Sequence, residues 1–96
     1  MVMWRELLGA ELRATRIAQK RTLRDVAGSA SVALGYLSEL ERGRKEASSE
    51  LLASVCQALD VTMSQVLRHV AEEAERQERV VSPLPIKRTD SDVQAA

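Results

Sequence analysis

Six small or aliphatic residues, Val26, Ala27, Ala30, Val32, Leu37 and Leu40, constrain this chain more than any other feature of it. Their spacing is the one that two short helices crossing at a tight turn require. Val26 and Ala27 point inward from the first helix, Ala30 and Val32 flank the turn, and Leu37 and Leu40 occupy the buried side of the second. Ala27 must stay small because the second helix crosses over it. What remains on the exposed side of that helix is Leu34, Gly35, Ser38 and Glu39.

Two helices so arranged form a helix-turn-helix, a unit whose second helix enters the major groove of DNA. The exposed residues are short enough to bring a backbone against base edges. The charge distribution agrees. Net charge over the 96 residues is zero, but through Lys45 nine basic residues stand against five acidic ones, so the remainder is correspondingly acidic. The cationic half is the half with the helix-turn-helix, as expected if one face neutralises phosphates.

A chain of 96 residues supports one domain, and with Trp4 and Tyr36 as its aromatics the core must be built from Leu, Val and Ala. Gly and Pro are scarce before residue 80, which favours an all-α bundle over a sheet. No apolar run is long enough to span a bilayer, and the N-terminus lacks a basic region followed by an apolar stretch, so a cytoplasmic protein without membrane association is expected. The single cysteine, Cys56, among Val55 and Leu59, reads as a buried thiol.

Apolar periodicity predicts helices from Trp4 to Ile17 or Ala18, from Thr22 to about Ser29, from about Ala33 to Glu41, from Ser48 or Ser49 through Leu59, and from about Met63 onward. Thr22 with Asp25, and Thr62 with Gln65, are capping-box pairs, and Val61 with Val66 is a hydrophobic staple. Gly43 stops the third helix. Gly9 weakens the first slightly. The fifth carries an apolar stripe through Val66, Val70 and Ala74 that outlasts the domain at 4–70; residues 71–81 then form a dimerisation extension, and 82–96 a disordered tail broken by Pro83 and Pro85.

From about Leu8 to Leu67 the chain resembles the Cro and phage-repressor (XRE) helix-turn-helix family. The resemblance rests on Leu12 and Arg16, on Leu-x-x-Val-Ala in the second helix, and on Tyr-Leu-Ser-x-Leu-Glu-Arg-Gly at Tyr36 to Gly43. Within that family the stretch Leu34 to Leu52 is most similar to actinobacterial Clp-protease gene regulators. The resemblance implies a compact five-helix, lambda-repressor-like domain and a transcriptional activator of Clp protease genes. It departs from the family at Ser31, where a left-handed Gly is common, at Ala33, where a capping side chain is common, and at Ala47, where Pro is usual.

The resemblance also implies a buried ion pair between Arg16 and Glu41. On the recognition helix, Leu34 can meet a thymine methyl, Gly35 allows close approach, Ser38 can bond a base or phosphate, and Glu39 can accept from cytosine N4. Arg21, Arg24, Arg42, Arg44 and Lys45 are the candidate phosphate contacts. One helix-turn-helix binds too little alone, so a homodimer through Val66, Val70 and Ala74 on a near-palindromic site is expected. The ending Ala95-Ala96 resembles the terminus recognised by Clp-type proteases, making that protease a candidate degrader. His69 has no second ligand at metal spacing, and neither a phosphate loop nor a nucleophile elbow is present, so no metal, cofactor or enzyme activity is expected. The competing reading is an antitoxin-like or phage-repressor-like protein that acts mainly through a protein partner or represses transcription.

Overall fold

The computed structural model describes residues 1–81. The expected disordered tail and the Ala95-Ala96 signal lie outside the described residues. Among the described residues five helices follow in order: α1 (Trp4–Ala18), α2 (Leu23–Ala30), α3 (Leu34–Glu41), α4 (Ser49–Ala58) and α5 (Met63–Val81).

Side chains cap the starts of α2, α4 and α5, whereas α1 and α3 begin without one. Thr22 Oγ1 accepts from the Asp25 N–H at 3.0 Å, and Ser48 Oγ from the Leu51 N–H at 3.1 Å. At α5 the capping box is reciprocal: Thr62 Oγ1 accepts from the Gln65 N–H at 3.0 Å, and Gln65 Oε1 from the Thr62 N–H at 2.8 Å. The box at α2 is half made, because the Asp25 carboxylate accepts from Arg21 Nε instead, at 2.8 Å.

The ends of α1 to α4 follow one rule. Lys20, Ser31, Gly43 and Asp60 all have positive φ, and each lets the following N–H bond back to a carbonyl five residues earlier: Arg21 to Arg16, Val32 to Ala27, Arg44 to Glu39 and Val61 to Cys56. These are Schellman closures, and three of the four lack the glycine that adopts this conformation without strain.

Leu8, Leu12, Val26, Leu37, Leu40, Val55, Leu59 and Val66 are the largest fully buried side chains. Around them α1 packs on α3 and α5, α2 packs on α3 and α4, and α4 also meets α5. Trp4 is 48% exposed, so the core stripe of α1 starts one turn later than its spacing suggests. A larger correction concerns α5. Val66 and Val70 are 2% and 3% exposed and belong to the core of the single chain. The first half of α5 is needed to cover α1 and α4, which leaves these two valines no surface to offer a second copy; Ala74 is half-buried.

Gly9, a weak point by helix propensity, is required by packing. A Cβ there would overlap the Leu40 carbonyl oxygen and lie 2.7 Å from that of Glu41, so α1 meets the backbone end of α3 with no room for a methyl group. Gly9→Ala should therefore destabilise the protein by about 1–3 kcal/mol despite its better helix propensity. Urea unfolding of the two proteins measures this, and an unchanged or higher midpoint would contradict it.

Candidate nucleic-acid interface

The exposed face of α3 is fixed from one end. Gly43, at φ 76°, turns the chain under α1, where Arg5 Nε donates to its carbonyl at 2.8 Å. Arg5 Nη1 also lies 3.4 Å from Glu46 Oε2, and the Tyr36 hydroxyl donates to the Glu46 carbonyl at 2.6 Å. Beneath, Arg16 Nε donates to Glu41 Oε2 at 2.8 Å and Nη2 to Oε1 at 3.0 Å, a two-point fork. The Glu41 carboxylate holds the Arg16 guanidinium above its ordinary pKa, outweighing the opposing effect of burial. Arg16 Nη1 reaches the Arg21 carbonyl at 2.9 Å, so the same side chain ties in the turn before α2.

The other end of α3 is open. Ala33 provides no side-chain cap, and the first N–H groups of the helix have no side-chain acceptor. Leu34 is 36% exposed and Gly35 is exposed, while Ser38 and Glu39 are half-buried. Gly35 has no positive φ, and a Cβ built on it would meet nothing within 4 Å. Neither the backbone nor the packing of this chain calls for glycine there.

Of the candidate phosphate contacts, Arg24 and Lys45 are exposed and form no ion pair with another described residue. Arg42 and Arg44 are also exposed and approach Glu39, at 3.5 and 3.9 Å. Arg21 departs from expectation. Its Nε is bonded to Asp25 at 2.8 Å, its Nη1 to the Ala58 carbonyl at 2.6 Å and to Gln19 Oε1 at 3.3 Å, and its Nη2 to Ser29 Oγ at 3.3 Å. With most of its N–H groups engaged inside the fold, Arg21 is a clamp joining α2 to the end of α4 rather than a free cation. Gln19 Nε2 assists it by donating to the Leu59 carbonyl at 2.7 Å.

Away from this face, His69 Nδ1 lies 2.8 Å from Glu11 Oε2 and links α5 to α1. Among the described residues no group of three His, Cys, Asp or Glu side chains could hold a metal. Burial pushes the Cys56 thiol above its ordinary pKa, the opposite of what a nucleophile needs. No described helix is long and apolar enough to cross a membrane.

Known proteins share this fold and much of this sequence. A family described as a helix-turn-helix domain matches residues 7–71. The transcriptional regulator ClgR of Mycobacterium tuberculosis is 54% identical over 84 residues, which cover 88% of this chain and 75% of that protein. Two crystal structures of the clp gene regulator ClgR of Corynebacterium glutamicum superpose on this fold. One has 55% identity and a TM-score of 0.71 over 74% of this chain and 91% of the other. The second has 49% identity and a TM-score of 0.75 over 83% and 88%. The helix-turn-helix architecture, the exposed α3 and the extent of these matches lead to one conclusion: the chain belongs to the helix-turn-helix family of DNA-binding transcriptional regulators, alongside the ClgR proteins.

Proposed function

We propose that this protein is a sequence-specific activator of Clp protease genes that binds a near-palindromic operator as a homodimer, with α3 in the major groove. The observation that carries the DNA reading is Gly35. Gly35 lies in the first turn of α3, exposed, and a Cβ built there would meet nothing within 4 Å, so the fold draws no benefit from glycine at this position. Close approach of an external backbone or base edge supplies the missing reason. Leu34 and Ser38 flank it for base contact, while Arg24, Arg42, Arg44 and Lys45 supply phosphate contacts that position without specifying. The likeness to proteins named as clp gene regulators supports the choice of target genes.

Gly35→Leu separates this function from a structural role. The variant should fold with equal or greater stability, since leucine is the better helix former, while its affinity for DNA selected by the wild-type chain should fall at least about tenfold, the equivalent of one good base contact. Thermal unfolding and a binding titration read the two effects independently. Loss of stability with unchanged affinity would overturn the assignment.

The dimer surface moves to the outer side of α5. Leu67 is 38% exposed, Ala71 is exposed and Ala74 half-buried, a stripe of four- and three-residue steps beside the buried one. Two copies related by a two-fold through this stripe would place their α3 helices for half-sites about 10 base pairs apart or a multiple of that. Leu67→Glu should therefore give a folded monomer in sedimentation, whereas Val70→Glu should unfold the chain because that side chain is part of the core. A Leu67→Glu protein that remains dimeric would remove this stripe as the contact.

A further inference from the structure

Glu39 stands on the face of α3 where a base contact is expected, yet its carboxylate is shared between two arginines. Oε2 lies 3.5 Å from Arg42 Nη1, and Oε1 lies 3.9 Å from Arg44 Nη1. The backbone builds this proximity. Arg42 follows one turn later as the C-cap of α3, and the left-handed Gly43 returns the chain so that the Arg44 N–H donates to the Glu39 carbonyl at 2.9 Å. An anion is thus lodged at the head of the cationic run Arg42, Arg44 and Lys45. The Glu39 side chain is 32% exposed, against 59% and 66% for the arginines, so the carboxylate is the more confined partner.

We propose that Glu39 is a specificity-determining counter-ion that weakens the hold of this surface on DNA of the wrong sequence. The proposal rests on the reading of α3 as the groove-binding helix. Non-specific affinity comes almost entirely from cations displacing the counter-ions of phosphates. A carboxylate that neutralises part of the cationic run, and that itself repels phosphate, therefore penalises that mode most. When α3 seats fully in a groove, Glu39 faces base edges, whose amino groups are donors, and Arg42 and Arg44 exchange the carboxylate for phosphates. The repulsion is relieved in the seated complex and persists in the unseated one, so the charge widens the gap between them.

The test uses the full chain, a duplex selected by the wild-type protein from a random pool, and an unrelated duplex of equal length and composition, titrated at several salt concentrations. Glu39→Gln keeps the shape of the side chain and removes the charge. It should tighten binding to the unrelated duplex on the order of three- to tenfold, the scale of two exposed ion pairs, and steepen its salt dependence, with a smaller gain on the selected duplex. Glu39→Asp, which keeps the charge, should hold the unrelated duplex as weakly as the wild type. If Glu39→Gln relaxes preference at one base pair but leaves affinity and salt dependence on the unrelated duplex unchanged, Glu39 is a base reader and the counter-ion role is overturned. A wild-type chain that selects no duplex from the pool would instead overturn the DNA reading itself, and this proposal with it.

Discussion

The two-point fork between Arg16 and Glu41 is the interaction from which the rest of the structure takes its alignment. Glu41 is 9% exposed, and it is the one charged residue buried among the described residues. Removing either partner of such a pair would strand the other and cost about 3–5 kcal/mol, whereas the intact pair contributes little net stability over well-packed apolar side chains. Its value here is registry. A planar guanidinium that meets both carboxylate oxygens admits one relative placement of α1 and the end of α3. Arg5, Gly9, Leu12 and Arg16 succeed one another at four- and three-residue steps, so a single face of α1 carries the Gly43 contact, the close backbone approach and the fork.

Alignment from one end explains why α3, only eight residues long, can present a defined surface. An isolated helix of that length is unstable in water. This one is closed at its C-terminus by a Schellman turn, anchored on its inner side by Leu37 and Leu40, and held through Arg16 and Arg5 by α1. No constraint of this kind acts on its N-terminus, where Leu34 and Gly35 stand exposed. The end of α4 is organised similarly, with Gln19 and Arg21 supplying donors to the Leu59 and Ala58 carbonyls that the helix leaves open.

What the sequence discloses of this architecture is its local part. Helix starts and stops depend on residues three to five positions apart, and Thr22, Ser48, Thr62 with Gln65, and Gly43 mark them in plain view. The inward positions of α2 and α3 follow from periodicity alone. Contacts between distant segments leave no periodic trace: Arg5 meets Gly43 across 38 residues and Gln19 meets Leu59 across 40. Arg21 shows the consequence, since counting it as a surface cation ignores acceptors that only the folded chain brings to it. Val66 and Val70 show another. An apolar stripe states that a helix face is covered but not by what, and in a chain this small the core takes the first half of α5 before any partner can. Gly9 could have been suspected from its place on the same face as Leu12 and Arg16, where a helix glycine permits close backbone approach.

These placements bear on how a small domain can discriminate among DNA sequences at all. A single bidentate base contact contributes about 1–3 kcal/mol of discrimination, and the exposed face of α3 holds few side chains able to make one, with neither Asn nor Gln among Leu34, Gly35, Ser38 and Glu39. In the proposed homodimer, discrimination would come from doubling the contacts across a two-fold axis and from keeping non-specific attraction low. Under that proposal both requirements fall on features outside the groove: the exposed side of α5 at Leu67 and Ala71, and the Glu39 carboxylate beside Arg42 and Arg44. A chain with zero net charge, basic near α3 and acidic elsewhere, fits that division better than a uniformly cationic one, because a surface cationic on every side would bind DNA in many orientations and gain nothing from the one in which α3 reads the bases.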